Sequence, residues 1–151
     1  MQTAATQSRR RFLQQLELMA GSIVCGTVPA MLGGCAARMR YATPSVVGDR
    51  LAVPATAVVA AGLLVEAPGA ELPIYLRRTA TGDFTAVSTR CMHRGCQVEP
   101  TAEKLVCPCH GSEYTFAGEV VQGPTEHALT RYRVTSDRET VYIHMTPERT
   151  P

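Results

Sequence analysis

Two short runs of the chain carry residues that could hold a metal or close a disulfide. The first, "CMHRGC", places Cys91, His93 and Cys96 within six positions, and the second, "CPCH", places Cys107, Cys109 and His110 within four. Thirteen residues separate His93 from Cys107. Each run thus offers one cysteine–histidine pair and one further cysteine. Three chemistries use such a set. A tetrahedral zinc ion would take two thiolates and two imidazoles. Two disulfides would consume all four cysteines and leave the histidines without a task. A binuclear iron–sulfur centre of mixed ligation would bind one iron through two thiolates and the other through two imidazoles.

Loops of this kind need a scaffold, and the sequence predicts one made of strands. From Val46 onward, short runs of β-branched and aromatic residues alternate with turn signals, and no window of helix length keeps a 3.6-residue period. The expected strands are Arg50–Val53, Gly62–Glu66, Ile74–Arg78, Phe84–Thr89, Glu119–Val121, Arg131–Thr135 and Thr140–His144. "TATGDF", Thr79 to Phe84, reads as a hairpin turn in which Gly82 supplies a positive φ, and "TSDRE", Thr135 to Glu139, as a second tight turn. "TAVVAAGLLVEA", Thr56 to Ala67, is ambiguous: its alanines suit a helix, while Val58, Val59, Gly62 and Val65 favour a strand. No internal repeat or low-complexity tract is present.

The N-terminal part reads as an address. Residues Ser8 to Leu13 spell "SRRRFL", and Leu18 to Ala37 contain no charged residue, with several glycines and a proline. This resembles a twin-arginine export signal. The segment ends in "LGGC", similar to a bacterial lipobox that would make Cys35 a lipidation site; its twenty uncharged residues would also serve as an uncleaved anchor. Cys25, inside the segment, receives no role. The expected organisation is a signal or anchor over residues 1–34, a tether over 35–45, and a domain over 46–147 whose cluster-binding part spans about 88–124. A chain of 151 residues, 45% hydrophobic, suffices for one core plus appendages. Three of the fifteen Lys and Arg and one of the thirteen Asp and Glu precede Cys35, leaving 12 against 12 beyond it. A neutral body without Trp or a run of Lys and Arg argues against nucleic acid as a partner.

Export places the cysteines in an oxidising compartment. A zinc site would then leave Cys96 and Cys109 as free thiols, and double disulfides would leave the histidines unexplained. The pattern Cys-x-His-x-Gly-Cys, then Cys-Pro-Cys-His-Gly-Ser, continued by "FAGEVVQGP" at Phe116 to Pro124, resembles the Rieske iron–sulfur proteins of cytochrome bc complexes and their photosynthetic relatives. The resemblance implies an all-β Rieske fold of stacked antiparallel sheets with a cluster-binding subdomain, and a 2Fe-2S cofactor. It implies that Cys91 and Cys107 bind one iron, that His93 and His110 bind the other, and that Cys96 and Cys109 form a disulfide between the loop tips. Ser112 matches the serine that donates to a bridging sulfide and Tyr114 the tyrosine that donates to a cysteine sulfur. Gly123 and Pro124 match the loop that covers the cluster.

Mixed ligation has a chemical consequence. Two ferric ions, two sulfides and two thiolates sum to zero charge with neutral imidazoles, so such centres accept an electron at roughly −150 to +300 mV, against about −400 mV for plant-type clusters held by four cysteines. The family takes an electron and a proton together from a quinol, and the added electron makes the outer ring nitrogens of its histidine ligands more basic. One departure is Arg94, where the relatives usually carry an apolar residue; a charge beside the histidine changes the docking face and weakens the case for an apolar lip that would receive a quinone. His127 and His144 read as loop and packing residues. The resulting expectation is a single-electron carrier tethered on the periplasmic side of the bacterial cytoplasmic membrane. Its partner would be a cytochrome c, a cytochrome b complex with quinol, or a molybdenum enzyme of the arsenite-oxidase type that the chain serves as its small subunit. A Rieske ferredoxin feeding an oxygenase fits less well, because such ferredoxins are cytosolic and lack the spare cysteine pair.

Overall fold

A computed structural model describes residues 39–148. The leader, Cys25 and Cys35 lie outside the described residues. Twelve strands follow in chain order: β1 Tyr41–Ala42, β2 Ser45–Val47, β3 Arg50–Pro54, β4 Leu63–Val65, β5 Ile74–Arg78, β6 Phe84–Ser88, β7 Glu99–Pro100, β8 Leu105–Val106, β9 Glu113–Tyr114, β10 Val120–Gln122, β11 Arg131–Ser136 and β12 Thr140–Pro147. One 3-10 turn, Ala55–Ala57, is the sole helical element among the described residues, and no helix there is long and apolar enough to cross a membrane. The all-β class expected from the sequence is what the structure shows.

Eight strands form a base sheet in the order β1-β4-β5-β6-β11-β12-β3-β2, and four form a smaller antiparallel sheet, β10-β9-β8-β7. All pairings in the base sheet are antiparallel except β1 with β4. Both turns read from the sequence are present. Gly82 has φ 94°, and the Asp137 carboxylate accepts from the backbone N–H of Glu139 at 2.8 Å and of Thr140 at 2.7 Å. These two bonds, stronger than the opposing burial, hold the Asp137 carboxyl below its usual range.

Strand alternation along the base sheet separates two apolar clusters where composition suggests one core. Leu63 and Val65 of β4, Ile74 and Leu76 of β5, and Ala86 of β6 face inward with Leu51, Val53, Val141 and Ile143. The intervening Leu64, Tyr75 and Val87 face the opposite way and meet Val98, Leu105, Tyr114 and Leu129 of the smaller sheet and its flanks, together with Cys91 and Cys107. Strands β4 to β6 are therefore buried on both faces, which is why "LLV" and "IYL" read as continuous apolar runs without a period of two. Each such side chain, once fully buried, contributes roughly 1.5–3 kcal/mol. Tyr75 is the largest of them, and its hydroxyl donates to the Ala61 carbonyl at 2.9 Å.

Beyond the short strands β2, β7, β8 and β9, which the sequence did not predict, two segments differ from expectation. The tether read over 35–45 is already ordered at Tyr41, because β1 pairs with the exposed edge of β4 and β2 with β3. The ambiguous stretch Thr56 to Ala67 divides. It opens with the end of the 3-10 turn, reverses with a Gly62 N–H bond to the Val59 carbonyl at 2.9 Å, and only then enters β4.

Candidate metal centre

The smaller sheet presents the cysteine runs as two copies of one turn. In the first, the Cys91 N–H donates to the Cys96 carbonyl at 2.8 Å and the Gly95 N–H to the Cys91 carbonyl at 2.8 Å. In the second, the Cys107 N–H donates to the Ser112 carbonyl at 2.8 Å and the Gly111 N–H to the Cys107 carbonyl at 2.9 Å. Each is a six-residue loop with cysteine first and glycine fifth. Gly95 and Gly111 sit at φ 78° and 75°, a left-handed conformation in which a Cβ costs about 1–2 kcal/mol. Chemistry differs at the other positions. The third holds His93 in one loop and Cys109 in the other, the fourth Arg94 and His110, the sixth Cys96 and Ser112.

This duplication brings the first cysteines inward and the polar tips together. Cys91 and Cys107 are free thiols, 2% and 1% exposed. The rings of His93 and His110 meet edge to face with centroids 4.8 Å apart, His93 half-buried and His110 exposed. Cys96 and Cys109 form a disulfide with Cα atoms 6.6 Å apart, clipping the two loops to each other. The sulfurs of Cys96, Cys107 and Cys109 lie within 4.8 Å of one another, but two of them are bonded together and spent as ligands. The donors that remain are two thiols and two imidazoles.

Hydrogen bonds around the sulfurs are directional. The Tyr114 hydroxyl accepts from the Met92 N–H at 3.2 Å, which leaves its own hydrogen for the Cys91 sulfur at 3.3 Å. Burial works against a Cys91 thiolate, yet the donors, Tyr114 first and then the His93 backbone, outweigh it and hold the thiol below its usual range. Cys107 is pushed up by burial and by the neighbouring Cys91. Tyr114 is itself pushed up, by burial and then by its bond to Cys91, so it stays a neutral donor. Ser112 is fully buried, and its oxygen accepts from the Thr125 N–H at 3.3 Å, so the serine hydrogen points elsewhere. Thr125 follows Pro124, and its own side-chain oxygen accepts from the His127 N–H at 3.3 Å.

One atom tests whether the site suits a metal. His93 Nδ1 is buried and has no hydrogen-bond partner among the described residues. An unsatisfied buried polar atom costs about 1–3 kcal/mol, and a bond to a metal removes that cost. The donor set fits a centre that takes sulfur on one side and nitrogen on the other.

Sequence reasoning missed Met92 and Thr125, which act through backbone N–H groups common to every residue type but proline. His127 is exposed and enters the site only through its backbone, and His144 lies apart on β12 between Arg133 and Thr135. Arg94 is exposed and forms no ion pair among the described residues.

Known proteins resemble this chain in sequence and fold. Residues 49–133, more than half of the chain, match the Rieske [2Fe-2S] domain. The cytochrome b6-f complex iron-sulfur subunit of Chlorobaculum tepidum is 44% identical over 55 residues, 35% of this chain and 30% of that one. The corresponding subunit of Prochlorococcus marinus is 37% identical over 75 residues, 47% and 42% of the two chains. The chain thus spans less than half the length of these curated relatives. Among solved structures, the complex of oxygenase and ferredoxin in carbazole 1,9a-dioxygenase superposes with a TM-score of 0.57 at 20% identity, covering 68% of this chain and 98% of the other, a likeness of fold. The chain belongs to the Rieske [2Fe-2S] domain family and is an iron–sulfur protein of that kind.

Proposed function

We propose that the protein is an exported, membrane-tethered carrier of single electrons, working in or beside a quinol-to-cytochrome chain. Cys91 and Cys107 would hold one iron and His93 and His110 the other. When bound, the cluster supplies one-electron redox chemistry at a potential raised by its nitrogen ligands. The chain's own residues do the rest. Burial of Cys91 and Cys107 keeps water from the sulfurs. Tyr114 donates to the Cys91 sulfur, a bond that strengthens as the sulfur gains negative charge. Thr125 fixes the Ser112 oxygen from behind, so that the serine hydrogen is available to the cluster side. The disulfide holds the loops at one separation whether or not an electron is present.

The observation that carries this reading is the orphaned Nδ1 of His93 beside the exposed ring of His110. Nitrogen ligands at the rim give the electron a way out through the surface, whereas the sulfur ligands face the core. Iron and acid-labile sulfide analysis tests it, together with the electron paramagnetic resonance spectrum of dithionite-reduced protein. A rhombic signal with average g below 2 is expected; a colourless, zinc-loaded protein ends the argument.

Export by the twin-arginine segment, lipidation at Cys35 or an uncleaved anchor over residues 1–34, and a tether from residue 35 complete the proposal. Mass spectrometry of the mature N-terminus distinguishes a lipid-modified Cys35 from an intact leader. Arg94 supports a protein partner with an acidic docking face: it occupies in the first loop the outward position that His110 occupies in the second. That is compatible with a cytochrome c and with the small-subunit role in a molybdenum oxidoreductase. Co-purification from native membranes separates them, a cytochrome b or c supporting the first reading and a large molybdopterin subunit the second.

A further inference from the structure

The base sheet carries a second constellation, away from the cysteine loops. In the register of β5, β6 and β11, Tyr75, Val87 and Arg131 form one row, and Arg77 pairs with Thr85 in the next row of the same face. The smaller sheet covers Tyr75 and Val87. Its last contact on this face is Phe116, whose ring lies 6.0 Å from that of Tyr75. Beyond it Arg77, Arg131 and Arg133 of this face, with Arg78 reaching the same space from the opposite face over Phe84, line a cavity of about 590 Å³ that contains one carboxylate, Glu148, among the described residues. Four positive groups against one negative leave a surplus of three (4 − 1), although charges beyond Cys35 balance at 12 against 12.

The guanidiniums are held by partners that do not neutralise them. Arg77 lies over the Phe116 ring at 3.6 Å and Arg78 over the Phe84 ring at 4.3 Å. Arg78 also donates to the Gly82 carbonyl at 3.1 Å, and Arg133 donates to His144 Nδ1 at 3.1 Å. Among the described residues only Arg131 has an acidic partner, Glu148 at 3.7 Å, and both of those side chains are more than 40% exposed, so the pair is worth about 0–1 kcal/mol. A guanidinium already held in place by an uncharged partner keeps donors free for a phosphate oxygen and loses less entropy on binding it. The volume is that of a site for a small molecule or headgroup.

We propose that this cavity binds a phosphate ester or a phosphate-bearing headgroup. Chain direction adds a second point. The Leu64 N–H bonds to the Arg40 carbonyl at 2.9 Å, so residues 39–40 enter at the end of β4 that neighbours Arg77. Cys91 follows Thr89, whose N–H bonds to the Pro73 carbonyl at the opposite end of β5. An occupied cavity therefore lies on the side where the chain enters, and the cysteine loops lie on the other. The proposal does not depend on the redox role.

The test uses the full-length, iron-loaded protein and an Arg78→Gln/Arg133→Gln variant, with the cluster spectrum as the check on folding. Titration calorimetry with inorganic phosphate and pyrophosphate probes the free anion. Co-sedimentation with phosphatidylcholine vesicles, with and without phosphatidylglycerol, probes the headgroup, any anchor contributing equally to both. Binding of pyrophosphate that weakens more than tenfold in the variant supports a soluble phosphate ligand. A preference for phosphatidylglycerol vesicles that the variant loses, without pyrophosphate binding, supports a lipid. No binding in either arm, or binding the variant leaves intact, overturns the proposal.

Discussion

Replacing Tyr114 by Phe removes one hydroxyl and leaves the buried ring in place. That hydroxyl donates to the Cys91 sulfur at 3.3 Å and accepts from the Met92 N–H at 3.2 Å, and Tyr114 is fully buried, so water cannot substitute for it. A hydrogen bond to a charged group is worth about 1.5–3 kcal/mol. Only the part that differs between the two redox states moves the potential. Taking that part as ~1 kcal/mol, and ~59 mV per tenfold change for one electron, the midpoint should fall by about 40 mV. The Met92 N–H loses its partner as well, which should cost roughly 1 kcal/mol of stability. Redox titration followed by electron paramagnetic resonance measures the first effect and thermal unfolding the second. Tyr75→Phe is the control: Tyr75 is equally buried, but its hydroxyl bonds to the Ala61 carbonyl, so that variant should lose stability and keep its potential. A loaded Tyr114→Phe protein with the wild-type midpoint, or equal shifts in both variants, would refute the reasoning.

Ser112→Ala should also lower the midpoint with the cluster retained, and should add to Tyr114→Phe in the double variant; an unchanged value shows that the Ser112 hydrogen does not reach the cluster. The disulfide spans a sequence separation of 13, a loop whose closure is worth ~3 kcal/mol in the chain-entropy model. Cys96→Ser/Cys109→Ser should therefore unfold at lower temperature and bleach faster in air, and unaltered melting and bleaching would count against the clip. Leu64→Ala opens a cavity between the base sheet and the smaller sheet and should cost about 2–5 kcal/mol, with visible absorbance and β-sheet circular dichroism lost in one transition. For Asp137 the sign follows from a folded pKa below the unfolded one. Its contribution is present above the usual carboxylate range and disappears as pH falls through the depressed value. The gap in melting temperature between wild type and Asp137→Ala should accordingly be open at neutral pH and close in acid, and a gap that persists there excludes this origin.

The candidate ligands were legible because their types are rare and their offsets fixed. Cys91, His93, Cys107 and His110 stood out, whereas the left-handed turns at Gly95 and Gly111 came to light only in the structure. Long strands with turns at their ends were legible too, β5 and β6 among them. Strands β7, β8 and β9, of two residues each, are too short to show a period and exist because they pair with one another. The doubly buried β4 lost its alternation for the reason that makes it important. Backbone donors such as the Thr125 N–H leave no mark on residue type. The arginine cavity was hidden by distance along the chain, since Arg77 and Arg133 come from strands that only the sheet order brings to one face.

A single sheet serving two clusters ties the fate of iron to that of the base. Strands β4 to β6 cannot peel away from the smaller sheet without baring Leu64, Tyr75 and Val87 to water, and those residues are the reverse side of the strands that seal the inner cluster. Demetallation is then less the emptying of a cup than the removal of a keystone. A chain stripped of its metal would bare that apolar, β-rich surface to water, so the cluster and the packing of the two sheets stand or fall together.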